Sequence, residues 1–341
     1  MPRWSVAFQF SFDLAFAMPI ALESPSTVDY RRHRLHTQER SWAETNCYCD
    51  VLIELLHTLG FEPIAALPFT VAIDFEGDQW TFFKFPHADL DELFGLDVQE
   101  LMIWRPLELQ IEEQVALGRP VLVELDSYFL PDTAGTAYKI QHQKSTIAAM
   151  AIDVAARRLE YFHGQGFYEL SGDDFEHIFR MNGLESPLIL PPYAEIVKRR
   201  NVDVPRGAWL VDTSIRLLKK HLLRLPSENP FEKFKARLAA DAAMLAGASI
   251  ETFHLYSFAT LRQFGACYEC TATYLKWLTE QDVAGLEEPI AAFTALSTGA
   301  KTLQFQLARA MARKKPLDLA PLDELAANWR TATESLATSL A

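Results

Sequence analysis

Ser145-Thr146-Ile147-Ala148-Ala149-Met150-Ala151-Ile152-Asp153, followed by Ala155-Ala156-Arg157-Arg158 and then Leu159-Glu160-Tyr161-Phe162, is the stretch that decides the fold. An apolar run, a charged turn and a second apolar run read as two antiparallel strands of a buried sheet. In a hairpin the start of one strand lies beside the end of the other. His142, just before the first strand, and His163, just after the second, therefore belong at one end of the sheet.

Working upstream, Pro120-Val121-Leu122-Val123-Glu124-Leu125-Asp126 is another strand, and residues 127–140 form a loop containing Leu130-Pro131-Asp132. Residues 108–117 read as a helix stopped at Gly118, and Gln79 to Phe85 as a strand behind the turn Glu76-Gly77-Asp78. The strongest helix signal is residues 46–60. Val51, Leu52, Leu55, Leu56 and Leu59 recur at helical spacing, Thr45 or Asn46 supplies a cap, and Gly60 a stop, so Cys47 falls in the first turn.

Downstream, residues 212–225, 230–246, 252–278, 289–313 and 322–341 all show helical periodicity, and the stretch from Leu190-Pro191-Pro192 to Pro205 reads as a linker. This gives an α+β domain over residues 1–197 and an all-α domain over 206–341. The charge agrees with that division: residues 1–200 carry −14 and the remainder +1.

The chain has 341 residues, 49% hydrophobic and 23% charged, which is globular composition with ample material for full cores. A net charge of −13 argues against nucleic acid as a partner, and the acidic first part favours an amine-bearing ligand. Four cysteines in two close pairs fit thiols of a reducing cytoplasm better than a disulfide framework. Residues 5–22 imitate a signal peptide, but Gln9 and Asp13 interrupt the apolar run, and no stretch reaches the length of a membrane span. A cytoplasmic protein is expected.

A cysteine at a helix N-terminus has its thiolate stabilised by unpaired backbone N–H groups and the helix dipole. Cys47 meets that description, and His142 follows it in the chain order of papain-like enzymes, cysteine and then histidine. Cys49 competes for the role. Two helical residues are about 200° apart, however, so Cys47 and Cys49 cannot face one cleft, and a zinc site from His33, His36, Cys47 and Cys49 meets the same objection. Cys267 and Cys270 lie on one face of an apolar helix and read as core. His33 and His36, within Arg31-Arg32-His33-Arg34-Leu35-His36, read as a solvated basic stretch.

The segments Glu44-Thr45-Asn46-Cys47-Tyr48, Asp74 to Phe85, Glu124 to Thr133, His142-Gln143-Lys144-Ser145-Thr146-Ile147 and Tyr161-Phe162-His163 resemble a bacterial family of unknown function encoded beside amino acid:carrier protein ligases. More distantly, Gly118 to Asp126, Tyr128 to Pro131, a histidine before an apolar strand ending in Ile152-Asp153, and Leu170-Ser171 to Phe175 resemble the butirosin-biosynthesis acyltransferase, which is similar in fold to double-glycine peptidases.

That second resemblance implies a papain-like cysteine-peptidase-type domain with an antiparallel sheet. It also implies aminoacyl transfer from a carrier-protein thioester, whose phosphopantetheine arm is the donor, to an amine or other small acceptor, with Cys47 as nucleophile and His142 as base. Two positions depart from the pattern. Phe162-His163 stands where the relatives have Asp or Asn, and Ser41 stands where they have an oxyanion-donating Gln. His163, Asp126 or Asp132 is left to orient the base, and Asn46 or Gln79 to donate to an oxyanion, with Asp132 a further substrate contact.

Carrier proteins are usually acidic. The basic helical stripes of Arg216, Lys219, Lys220 and Arg224, and of Arg309, Arg313, Lys314 and Lys315, are the expected docking surfaces. A thioesterase or amidohydrolase of the same fold, or a noncatalytic carrier-binding module, are the alternatives.

Overall fold

The computed structural model describes residues 25–37, 39–181, 190–200 and 206–340. The signal-peptide-like stretch 5–22 lies outside them. The first part of the chain runs α1 (Cys47–Thr58), α2 (His87–Phe94), β1 (Leu96–Glu100), α3 (Leu107–Ala116), β2 (Val121–Asp126), β3 (Lys144–Asp153), β4 (Arg158–His163), β5 (Gly166–Ser171), a short α4 (Asp173–Ile178) and β6 (Ala194–Arg199). Helices follow: α5 (Ala208–Leu222), α6 (Pro230–Leu245), α7 (Ile250–Ser257), α8 (Gln263–Glu280), α9 (Glu287–Arg313) and α10 (Pro321–Ser339).

Six antiparallel strands form one sheet in the order β1-β6-β2-β3-β4-β5. The β3–β4 hairpin pairs Ile147 with His163, Ala148 with Phe162 and Ala149 with Tyr161, with a register shift between Ala149 and Ala151. Both faces of the hairpin are covered, which explains the unbroken apolar run. Ala148, Met150 and Phe162 join a core that includes Val51, Leu52 and Leu55 of α1. On the opposite face, Ile147, Ala149 and Tyr161 pack with Ile111 of α3 and Phe175 of α4.

The core on the α1 face continues into the C-terminal helices. Trp80, fully buried, has its ring centroid 4.9 Å from both Phe231 and Phe264 and 5.8 Å from Phe234. These aromatic contacts explain why residues 79–85, with the pattern of a strand, are not one. Trp80, Phe83 and Phe85 are all buried against neighbouring elements, and the Trp80 N–H donates to the Ala259 carbonyl at 3.0 Å. Only the bridge between Phe75 and Trp80 forms, closing a turn in which the Glu76 N–H donates to the Gln79 carbonyl.

Two further readings change. The linker stretch contains β6, which sits between β1 and β2 and so belongs to the sheet. The single helix expected over 252–278 is α7 and α8 joined by a π-helical turn, Phe258–Arg262. Insertions of this kind mark places where a helix is bent for a local purpose. Here Ala259 meets Trp80, and Arg262 reaches the carbonyls of Glu44 and Thr45 just ahead of α1. Among the described residues no helix is long and apolar enough to cross a membrane.

Candidate active site

The start of α1 is fixed by Asn46, whose extended backbone breaks the helix and whose side-chain carbonyl accepts from the Cys49 N–H at 3.0 Å. Its amide donates to the Phe83 carbonyl at 3.0 Å, so Asn46 anchors the helix start at both ends of its side chain. Cys47 is partly exposed, whereas Cys49, Cys267 and Cys270 are buried. Burial pushes the Cys49 thiol well above its ordinary range, which leaves it protonated. The Cys47 thiol donates to Thr146 Oγ1 at 3.6 Å.

The two histidines at this end of the sheet are each held by a carboxylate. Asp126, closing β2, accepts from the Tyr128 N–H and lies 2.6 Å from His142 Nδ1, and His142 stacks on the Tyr128 ring at 4.3 Å. Asp132 lies on a 3-10 turn, Pro131–Thr133, with one oxygen 2.5 Å from His163 Nδ1 while the other accepts from the Tyr161 hydroxyl. Burial, then the Asp132 charge, raises the Tyr161 pKa and keeps that hydroxyl a donor.

The far nitrogen of His163 lies 2.6 Å from Ser145 Oγ. With the Nδ1 proton directed at Asp132, Nε2 is free to accept from the serine. Asp132, His163 and Ser145 thus form the hydrogen-bonded connectivity of an acid–base–hydroxyl triad.

A cavity of about 670 Å³ at this end of the sheet is lined by Cys47, Ser145, His163 and Asp132, with Arg32 and Arg262 also on its wall. His142 is not among its lining residues. It lines a separate cavity with Asp126, Phe129 and His177. The imidazole that shares a cavity with Cys47 is therefore His163. Successive strand residues point to opposite faces, so Ser145 and His163 leave the sheet on one side and Thr146, which meets Cys47 of α1, on the other, and the cavity wraps around the strand ends. Ser145 escaped notice in the sequence. Its only signal is its position at the head of β3, across from the end of β4.

Gln79 lies exposed in the Glu76–Gln79 turn and does not line this cavity. His33 and His36 are buried rather than solvated, because the acidic face of α1 takes them in. His36 bonds Glu54 and lies 3.2 Å from Asp50, and the His33 N–H donates to Glu54. Burial lowers the His36 pKa, but the hydrogen bonds and charges of Asp50 and Glu54 outweigh it and raise the value to about 9. Asp50 also accepts from the Thr45 N–H and hydroxyl, which fastens the segment entering α1.

On α5, Arg216 pairs with Glu92, and Lys220 pairs with Asp89 at 2.9 Å. Arg309 and Arg313 are exposed on α9. Among the described residues no group of three or more His, Cys, Asp or Glu side chains is arranged to hold a metal ion.

Family models match most of the chain: the DUF1839 N-terminal domain over residues 31–199 and the DUF1839 C-terminal domain over residues 207–338. The chain belongs to the DUF1839 family. No function is established for this family, and no curated protein matches the chain. The N-terminal DUF1839 domain contains the sheet, α1 and every residue of the cavity floor named above, while the C-terminal domain contributes Arg262 from the π-helical turn.

Proposed function

We propose that this DUF1839 protein is an acyltransferase that works through a thioester on Cys47, on a papain-like scaffold. The observation that carries the reading is a single cavity lined by a partly exposed thiol at a helix N-terminus and by an imidazole held in an Asp132–His163–Ser145 chain. A donor thioester enters, and the Cys47 sulfur attacks its carbonyl carbon. A carbon–sulfur bond forms to Cys47, the donor carbon–sulfur bond breaks, and the proton that Cys47 releases reaches the departing thiolate by way of His163, across the cavity the two residues share rather than through a direct contact. An amine then attacks the acyl-enzyme, forming an amide and returning the thiol. Asp132 keeps the imidazole oriented through both steps.

The donor we favour is an aminoacyl group on the phosphopantetheine arm of an acidic carrier protein, with a small molecule as acceptor. Arg32 on the cavity wall, bonded to the neutral Gln165 and, among the described residues, to no carboxylate, suits the phosphate of such an arm, whereas Arg262 is held by Glu44. With Arg216 and Lys220 paired to Glu92 and Asp89, the exposed Arg309 and Arg313 are the freer of the basic positions for docking. Water in place of the amine would make the protein a thioesterase or amidohydrolase.

A second reading takes Ser145 as the acylated group, supported by its direct 2.6 Å contact with His163. Intact-mass measurement after incubation with an aminoacylated carrier protein separates the two. An increment on wild type and Ser145→Ala, absent from Cys47→Ala, supports the thioester. An increment retained in Cys47→Ala and lost in Ser145→Ala moves the acyl group to the serine. Carrier binding with no increment on any of the three turns the reading to a noncatalytic binding module.

A further inference from the structure

Cys47 borders a second, smaller cavity of about 190 Å³, whose wall includes Tyr48, Phe82, Tyr193, Glu195 and Lys84. Glu195, on β6, is buried, with its carboxylate accepting from the Tyr48 hydroxyl at 2.6 Å and the Tyr193 hydroxyl at 2.8 Å. Neither hydroxyl neutralises it. The positive group within the box is the Lys84 ammonium, 3.8 Å from the centroid of the Tyr48 ring and 5.7 Å from that of Tyr193. It stands 3.7 Å from the nearer Glu195 oxygen, beyond good hydrogen-bond distance, and His87 Nε2 stands equally far.

Rings around a buried carboxylate are the chemistry by which proteins bind alkylammonium groups. Lys84 fits the role of a stand-in rather than a fixed partner. Its side chain is 41% exposed, and it comes from the segment after Trp80 that has no strand or helix to hold it. The other carboxylate in this wall, Glu124, is engaged by Lys144 at 2.6 Å, so Glu195 is the acid left to meet an incoming cation.

We infer that the cavity formed by Tyr48, Phe82, Tyr193 and Glu195 binds the primary ammonium of a small substrate beside the Cys47 sulfur, displacing Lys84. Its volume is below that of drug-sized pockets and admits a group the size of a small amino acid. Because the cavity borders the thiol, the ammonium lies within a few bonds of an acyl carbon on sulfur. The ligand class is an amino acid derivative with its amine free and its carboxyl group masked. That the amine belongs to the transferred acyl group rests on the acyltransferase reading; that the cavity takes an ammonium does not.

The test uses the full chain carrying Cys47→Ala, so that binding is measured without chemistry. Titration calorimetry with glycinamide and alaninamide is compared with propionamide and isobutyramide, in which a methyl group takes the place of the ammonium. The amines should bind at least tenfold more tightly than the amides. Adding Lys84→Met should tighten amine binding at least threefold, because it removes the internal competitor. Glu195→Gln should weaken it at least tenfold, and Tyr193→Leu, at a residue 43% exposed, at least threefold.

Equal binding of amines and amides overturns the inference. So does an affinity unchanged in both Lys84→Met and Tyr193→Leu, or no amine binding with Lys84 either present or replaced. Amine binding without any acyl-enzyme on the wild-type chain would sink the transferase reading and leave this site standing. An acyl-enzyme formed equally from aminoacyl and desamino donors, with no amine binding, would do the reverse.

Discussion

His163 with Asp132 and His142 with Asp126 are the same chemical pair built twice at one end of the sheet, and they differ in what surrounds them. The His163 and Asp132 side chains are 12% and 5% exposed, and the free imidazole nitrogen meets Ser145 inside the cavity that Cys47 shares. The His142 and Asp126 side chains are 69% and 31% exposed, and the imidazole lies flat on Tyr128 beside a different cavity. A carboxylate can orient an imidazole anywhere. Only an enclosed pair with its second nitrogen directed at reactive groups is placed for proton transfer, because water does not compete for it there.

The largest effect expected from this contrast is catalytic. His163→Ala should slow formation of the acyl-enzyme by roughly 10²- to 10⁴-fold, the usual contribution of a positioned base. His142→Ala should leave the rate within about threefold. Single-turnover measurement with an aminoacylated carrier protein checks both, and the reverse ranking would return the role of base to His142.

His36 extends the comparison to an imidazole that is wholly enclosed, between Asp50 and Glu54. Its folded pKa of about 9 lies above the ordinary value of 6.5. The stabilisation it supplies is therefore fully present below pH 6.5 and is lost as the pH rises through 9, a span of about 3 kcal/mol. Urea unfolding at pH 6 and pH 9.5 should show this loss in the wild type and a flatter response in His36→Gln. The same pH dependence in both proteins would remove His36 as its source.

The smallest effects are on stability at the two carboxylates. Asp132→Asn disturbs a buried acceptor shared by Tyr161 and His163 and should cost about 1–3 kcal/mol. Asp126→Asn weakens a largely solvated pair and should cost under about 1 kcal/mol. Thermal unfolding of the two variants should rank them in that order, and equal losses would show that the difference in burial has no energetic consequence.

The hairpin was legible in the sequence because its signals are local. An apolar run, a turn at Ala155-Ala156-Arg157-Arg158 and a returning run specify β3 and β4 without reference to the remaining chain, and the cap at Asn46 and stop at Gly60 specify α1 in the same way. Periodicity likewise located the C-terminal helices, to within a few residues at their ends, but ran α7 and α8 together across the π-helical turn. It could not distinguish strand from coil at residues 79–85, since an aromatic stretch buries equally well against a sheet or between helices, and Trp80 takes the second course. Nor could it find β6 in a proline-rich stretch, because a six-residue strand acquires its identity from partners, here β1 and β2.

The sequence by itself determined α1, α3, β2, the β3–β4 hairpin and the helical character of the C-terminal part, together with the thiol at the start of α1, since these follow from the spacing of residues within a few turns of one another. It also listed Cys47, Asp132 and His163 of the cavity, along with Asp126 and His142, which line a different one. Only the tertiary structure decided which carboxylate holds which imidazole, that Ser145 joins Asp132 and His163, and that His163 rather than His142 opens on the cavity of Cys47. The physical reason is that these contacts join residues from α1, the loop after β2, and the ends of β3 and β4. Their meeting depends on strand register and on which face of the sheet each side chain leaves, and a single residue of register moves every side chain to the opposite face.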